Sequence, residues 1–97
     1  MSYKFSKKVI ANGVEYIVKA PSLTENKKYD VFLHDKKLLS FGDRNYQHYK
    51  DRLEYYSNLN HYDSKRRKYY RMRHQFDKGV VKKDFNYPGA WSWSILW

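Results

Sequence analysis

The chain has 97 residues, with 20 lysines and arginines against 10 aspartates and glutamates, so its formal net charge is +10 at neutral pH. This length supports one hydrophobic core and leaves no room for a second. It contains no cysteine, which excludes a disulfide framework and a thiolate metal site. The sequence therefore predicts a single domain over residues 1–97.

Aromatic side chains dominate the apolar part of the composition, with 11 tyrosines, 5 phenylalanines and 3 tryptophans. Rings bury large areas and carry polar tips that need hydrogen-bond partners. This composition favours a folded domain over a disordered chain, although charged residues make up 31% of it.

The first third of the chain is typical of antiparallel β structure. In VIANGVEYIV two β-rich runs flank Asn12 and Gly13, a pair that tolerates the positive φ angles of a type I′ turn. Pro21 ends that pairing. The run YDVFLHDKKLLSFG predicts a second hairpin, with its turn near Asp35 and Lys36.

The middle of the chain changes to a helical period. The spacing of Tyr46, Tyr49, Leu53 and Tyr56 predicts one face of a helix, and Asp43 is a suitable N-cap for it.

A second helix is predicted to begin at a cap formed by Asp63 or Ser64 and to run to about Asp77. One stripe of this helix carries three apolar side chains and is expected to face the core. Its members are Lys65, Tyr69, Met72 and Phe76.

The tail NYPGAWSWSILW predicts a short helix that begins at Pro88 and packs on its own domain, because tryptophans are costly to leave in water. The fold class predicted by these elements is α+β. It consists of an N-terminal antiparallel hairpin or meander, two helices and a short Trp-rich C-terminal helix.

Several residues in the second half form an ordered set. They are Phe41-Gly42, then His61, Asp63, Arg66, Tyr70, Arg73 and His74, then the ending AWSWSILW. This order resembles a small module of unknown function found in tailed phages and large double-stranded DNA viruses. The resemblance covers residues 28–97 and leaves the hairpin and loop of residues 1–27 outside. It implies a viral source and a virion- or genome-associated role, and it supplies no activity.

A dense basic run lies on the second predicted helix, where residues 65–73 include six cations and no acid. Cations with aromatic neighbours suit phosphate contacts and stacking on unpaired bases. The residues predicted to face nucleic acid are Lys65, Arg67, Lys68 and Arg71. The N-terminal lysines could form a second patch. No zinc-finger, RNP or helix-turn-helix signature is present, so non-specific binding is expected.

A second group on the same helix and in the tail is expected to be structural or to mediate interactions, because guanidinium groups stack well on tyrosine and tryptophan. Its members are Arg66, Tyr70, Arg73, His74, Trp91, Trp93 and Trp97. In this interpretation Arg66 and Arg73 pack under the tail.

Three histidines have a carboxylate two or three residues further along the chain, which can orient an imidazole for metal binding or proton transfer. A metal-dependent nuclease using His61, Asp63 and His74 is the remotest of the functional alternatives. The favoured interpretation is structural, with Asp63 as a helix cap. No catalytic residue, metal ligand or cofactor is predicted.

The sequence favours a non-enzymatic viral accessory protein that binds nucleic acid. The alternative is a minor capsid or scaffold-type component that binds another viral structural protein through a Tyr/Trp surface. No membrane span or apolar signal-peptide run is found, so the expected location is the virion or the host cytoplasm, and secretion is not expected.

Overall fold

The computed structural model describes residues 2–97 and shows an α+β fold, as predicted. The chain divides into two compact units, one extending to Arg44 and the other covering Asn45–Trp97. The first unit contains all four strands, because β3 and β4 complete the sheet that the first hairpin begins. The single domain over residues 1–97 stays a prediction.

The first unit is a four-stranded antiparallel sheet. Its strands are β1 (Phe5–Ala11), β2 (Val14–Ala20), β3 (Lys27–Leu33) and β4 (Lys36–Asp43), and their order in the sheet is the order of the chain. The predicted N-terminal meander is confirmed.

Two tight turns close the outer hairpins of this sheet. At the first, Asn12 and Gly13 have φ angles of 52° and 76°, which is the geometry that the sequence predicted. At the second, His34 and Asp35 have φ angles of 50° and 65°, so this turn begins one residue earlier than predicted.

One face of the sheet carries its buried apolar side chains. The register places Val18 beside Val31 and Tyr29 beside Phe41, and all four side chains have no solvent-exposed surface. The rings of Tyr29 and Phe41 stack with centroids 5.2 Å apart. Cross-strand pairs of this kind fix the register, because a slip of one residue would expose the whole set.

A buried carboxylate ties the loops of this unit to β3. Asp30 has no exposed surface and accepts hydrogen bonds from Tyr3 Oη at 2.5 Å, Ser22 Oγ at 2.5 Å, Ser40 Oγ at 2.6 Å and the main-chain N–H of Leu23 at 3.0 Å. Burial by itself would raise the pKa of Asp30, but these hydrogen bonds outweigh burial and lower the pKa to about 2.

The second unit contains the helices. A 3-10 turn (Ser57–Leu59) precedes α1 (Ser64–His74), and α2 (Pro88–Trp91) continues into a π-helical segment (Ser92–Leu96). The second predicted helix is confirmed, although it ends three residues earlier than expected. The predicted Trp-rich helix beginning at Pro88 is confirmed as well.

The first predicted helix is wrong, because residues 46–56 form turns. Asp51 is fully buried there, and its carboxylate accepts hydrogen bonds from the main-chain N–H groups of Leu53 at 2.9 Å and Tyr56 at 2.8 Å. A short acidic side chain that binds nearby N–H groups competes with helical hydrogen bonding.

Main-chain contacts with the tail also hold this segment in a non-helical conformation. The N–H of Lys50 donates to the Leu96 carbonyl at 3.1 Å, and the N–H of Arg52 donates to the Ile95 carbonyl at 3.0 Å. Donors used in this way are not available to a helix, so tertiary contacts override the periodic pattern.

We expect Asp30→Asn to lower the free energy of unfolding by about 2 kcal/mol, because it removes hydrogen bonds to a charged acceptor inside the sheet. Urea denaturation at neutral pH measures the change. Asp35→Asn, at an exposed turn position, is the matched control and should stay within about 0.5 kcal/mol of the parent.

The lowered pKa of Asp30 predicts that the folded protein loses stability in acid. Asp30 contributes stability above its ordinary pKa of 3.8, and this contribution is lost as the pH falls toward about 2. The Asp30→Asn variant should not show this part of the loss of stability in acid. An identical pH profile in the two proteins would contradict the role assigned to Asp30.

Candidate nucleic-acid interface

Helix α1 begins at a side-chain cap. Asp63 Oδ1 accepts hydrogen bonds from the main-chain N–H groups of Lys65 at 3.0 Å and Arg66 at 3.2 Å, which confirms the predicted cap. The last turn of α1 carries three basic side chains, and these complement the negative end of the helix dipole.

Two arginines of α1 share one acceptor in the tail. The Nε of Arg67 donates to the main-chain oxygen of Trp97 at 2.6 Å, and the Nη2 of Arg71 donates to the same oxygen at 3.1 Å. Because one oxygen accepts both hydrogen bonds, the two guanidinium groups are held next to each other.

An aromatic ring supports each of these guanidinium groups. The central carbon of Arg67 lies 5.0 Å from the ring centroid of Tyr49, and that of Arg71 lies 4.4 Å from the ring centroid of Trp93. Cation–π contacts of this kind stabilise the position of each guanidinium group in addition to its hydrogen bond. Tyr49 was expected on a helix, and a single tyrosine offers no sequence signal for this role.

Tyr70 joins the helix to the tail. Its ring stacks on that of Trp97 with centroids 4.3 Å apart and an interplanar angle of 5°, and it also lies 4.4 Å from the ring of His74. Burial raises the pKa of Tyr70 to about 12. The expected structural role of Tyr70 agrees with this packing, and His74 belongs to the same cluster.

The other tryptophan of the predicted interaction set lies in the core of this unit. Trp91 has no exposed surface, its Nε1–H donates to the Phe85 carbonyl at 2.8 Å, and its ring lies edge-on to that of Phe85. A buried indole needs such a partner for its N–H. The prediction that the tail packs on its own domain is therefore confirmed for Trp91.

The predicted partition of the arginines is partly wrong. Arg66 and Arg73, which were expected under the tail, are exposed, and the Arg66 guanidinium group donates a hydrogen bond to Gln47 Oε1 at 3.0 Å. Arg67 and Arg71, which were expected to face outward, are half-buried against the tail. Residues three and four apart share a helix face, and here the buried face contains Arg67, Tyr70 and Arg71.

The predicted core-facing stripe is also wrong. Tyr69 is 48% exposed, Met72 is 56% exposed and Phe76 is 83% exposed, and Lys65 beside them is exposed too. Arginines whose guanidinium groups find an acceptor and a ring occupy the inward face instead.

The lysines and arginines of α1 form no ion pair with an acidic side chain within residues 2–97. The ion pairs found there are Lys8–Glu15, Lys37–Asp30 and His74–Asp77. Burial lowers the pKa of Arg71, and the nearby positive charges of Arg67 and Arg52 lower it further.

Both inward arginines keep donors that are not used by the protein. The Nε of Arg71 is buried and has no acceptor among the described residues. The Nη1 of Arg71 and both terminal nitrogens of Arg67 make no hydrogen bond in residues 2–97, yet they are not buried. These nitrogens therefore keep some solvent-accessible surface.

His61 is held by the turn before α1. Its Nδ1 accepts the main-chain N–H of Asp63 at 2.9 Å, so the neutral ring carries its proton on Nε2, which is buried without an acceptor in the described chain. Burial lowers the pKa of His61, the charge of Arg66 lowers it further, and Asp63 opposes the shift.

The described part of the chain contains no group of three or more His, Cys, Asp or Glu side chains that could hold a metal ion. The two histidines of the nuclease alternative make separate contacts, His61 with Asp63 and His74 with Asp77 at 2.6 Å. Among the helices in residues 2–97, none has the length and apolar character that crossing a membrane requires.

Comparison of the chain with protein-family models, with curated proteins and with solved structures gave no match.

We expect Arg67→Ala or Arg71→Ala to lower the free energy of unfolding by about 2 kcal/mol, because each removes a hydrogen bond and a cation–π contact. Arg66→Ala and Arg73→Ala are matched controls on the exposed sides of the same helix, and each should stay within about 0.5 kcal/mol of the parent. Urea denaturation measures all four, and equal losses in both pairs would contradict the observed packing.

The lowered pKa of His61 predicts that the folded protein loses stability in mild acid. Because its pKa in the folded protein is below the ordinary value of 6.5, the unfolded chain takes up the proton first. The stability that the neutral His61 ring contributes is complete above pH 6.5 and declines as the pH falls below that value. His61→Asn should reduce this slope in thermal melts, and an unchanged slope in this variant would contradict the role assigned to His61.

Proposed function

We propose that this protein is a viral accessory protein that binds nucleic acid non-specifically through helix α1. The observation that carries the proposal is the charge of that helix, where six cations in residues 65–73 form no ion pair with an acidic side chain of residues 2–97. Uncompensated positive charge at this density attracts phosphates.

The exposed cations lie on two sides of α1. At 100° per residue, Arg66 and Arg73 project within about 20° of each other, while Lys65 and Lys68 point to another part of the surface. All four are exposed. These residues are the natural contacts for a phosphodiester backbone.

Arg67 and Arg71 supply further hydrogen-bond donors beside these exposed cations. Their guanidinium groups are fixed by the Trp97 oxygen and by two rings, and they retain solvent-accessible donors. An arginine already held in place loses little side-chain entropy when it binds an anion. Of the four residues predicted from the sequence to bind nucleic acid, Lys65 and Lys68 reach outward freely, and the two arginines act as fixed donors.

Contacts to phosphate position a protein on nucleic acid without reading its bases. The proposed binding is therefore independent of sequence, and a virion- or genome-associated role in the virion or the host cell interior is proposed with it. The non-enzymatic role also stays a proposal.

One observation favours a second candidate, which is a minor viral structural component that binds another protein. Tyr69, Met72 and Phe76 form an exposed stripe at helical spacing, and large exposed aromatic and methionine side chains are common at protein interfaces. Binding of this type would depend on apolar area and only weakly on salt.

The salt dependence of binding tests the leading function. The logarithm of affinity for duplex DNA falls with the logarithm of salt concentration by about 0.9 per phosphate neutralised, so four exposed cations predict a slope of about three or more. Fluorescence anisotropy with duplexes of two unrelated sequences measures the slope and should give similar values for both.

A quadruple alanine variant of the exposed α1 cations should flatten this slope with little loss of stability. Its substitutions are at Lys65, Arg66, Lys68 and Arg73. The control removes four other exposed lysines and the same net charge, with substitutions at Lys27, Lys36, Lys78 and Lys82. Equal flattening in both variants would mean that net charge, and not α1, drives binding. Absence of binding to DNA and RNA at low salt would favour the protein-binding candidate.

A further inference from the structure

An open groove runs along one side of α1 and has a volume of about 480 Å³, which is within the range of small-ligand sites. Five residues of α1 line it, together with Gln75 just beyond the helix and Trp93 of the tail. The α1 residues in the lining are Ser64, Arg67, Lys68, Arg71 and Met72.

The charged side chains in the lining of this groove are all cationic. Arg67 and Arg71 are fixed in its wall, Lys68 is exposed at its edge, and no aspartate or glutamate lines it. Three positive charges within two helical turns, with no acidic side chain to balance them, provide a site for an anion such as a phosphodiester. The lowered pKa of Arg71 has the same origin, since burial and the neighbouring cations both act against its charge.

Ser64 and Gln75 add neutral polar groups to the lining, and Met72 and Trp93 add surfaces that suit a flat ring. Met72 is 56% exposed, although it lies among cations on the helix, and Trp93 is half-buried, with the guanidinium group of Arg71 over its ring. Thioether sulfur and indole both make favourable contacts with aromatic rings. A ligand that carries both a phosphate and a flat ring matches the two parts of this lining.

We propose that the groove holds one unpaired nucleotide of a single strand, with its phosphate against Arg67, Lys68 and Arg71 and its base against Met72 and Trp93. This inference rests on the proposed function and adds to it a preference for single-stranded nucleic acid. In a duplex the bases are paired and stacked, so only phosphates could reach the groove. In a single strand every base has a free face that can stack on a side chain.

The test compares two labelled single strands of about 12 nucleotides, a length that spans the site sizes of known single-strand-binding folds. One strand is oligothymidylate and the other is an abasic strand of equal length and charge. Fluorescence anisotropy at one salt concentration gives the ratio of the two affinities. Because phosphate contacts cancel in this ratio, it isolates the contribution of the base.

We expect the parent protein to bind the thymidylate strand about tenfold more tightly than the abasic strand, as stacking of one or more bases predicts. Met72→Ala should reduce this ratio by about threefold or more, since it removes one wall of the base site. The control is Tyr69→Ala, which is a similarly exposed position on the same helix outside the groove and should leave the ratio unchanged.

The outcomes separate the two proposals. A ratio near one in the parent, or an equal fall with Met72→Ala and Tyr69→Ala, would overturn the nucleotide site while leaving salt-dependent binding by α1 intact. Absence of binding to either strand and to duplex DNA would overturn both proposals. Tighter binding of an acidic peptide, such as oligoglutamate of equal charge, would also overturn both and indicate a protein partner.

Discussion

The main-chain oxygen of Trp97 is the contact on which the C-terminal unit depends. It accepts hydrogen bonds from Arg67 and Arg71, and it thereby joins the tail to α1 where Tyr70 stacks on the Trp97 ring. The same tail accepts main-chain hydrogen bonds from the turn segment before α1. The tail therefore positions both the helix and the irregular segment.

This arrangement explains how a helix so rich in charge can pack at all. Burying a cation is costly unless its donors and its face find partners. Arg67 and Arg71 meet this requirement with a main-chain oxygen and the flat faces of Tyr49 and Trp93. Lysine could not do the same, because a compact ammonium lacks both the planar face and the fork of donors. The buried side of α1 is thus positively charged as well as aromatic.

Local chemistry made part of this structure predictable from the sequence. Asn12 and Gly13 specify a hairpin turn by their φ preferences, and Asp63 specifies a helix start by its carboxylate. The inward side of α1 was not predictable in this way, because every stripe of the helix mixes cations with rings. Hydrophobicity predicted that Tyr69 and Met72 would face inward. The residues that do so are Arg67 and Arg71, whose shared acceptor lies 30 and 26 residues further along the chain. Long-range partners of this kind leave no periodic signal.

The order of the strands has a consequence for how the chain folds. Each strand of the sheet pairs with its neighbour in the sequence, and β1–β2 and β3–β4 are each joined by a two-residue turn. Closing such short loops costs little chain entropy, so contacts of low sequence separation can form early and quickly. The contacts that cost more entropy to close are those that the tail makes with α1 and with Lys50 and Arg52. We therefore expect the sheet to gain its pairing first and the aromatic–arginine cluster to form late in the folding reaction.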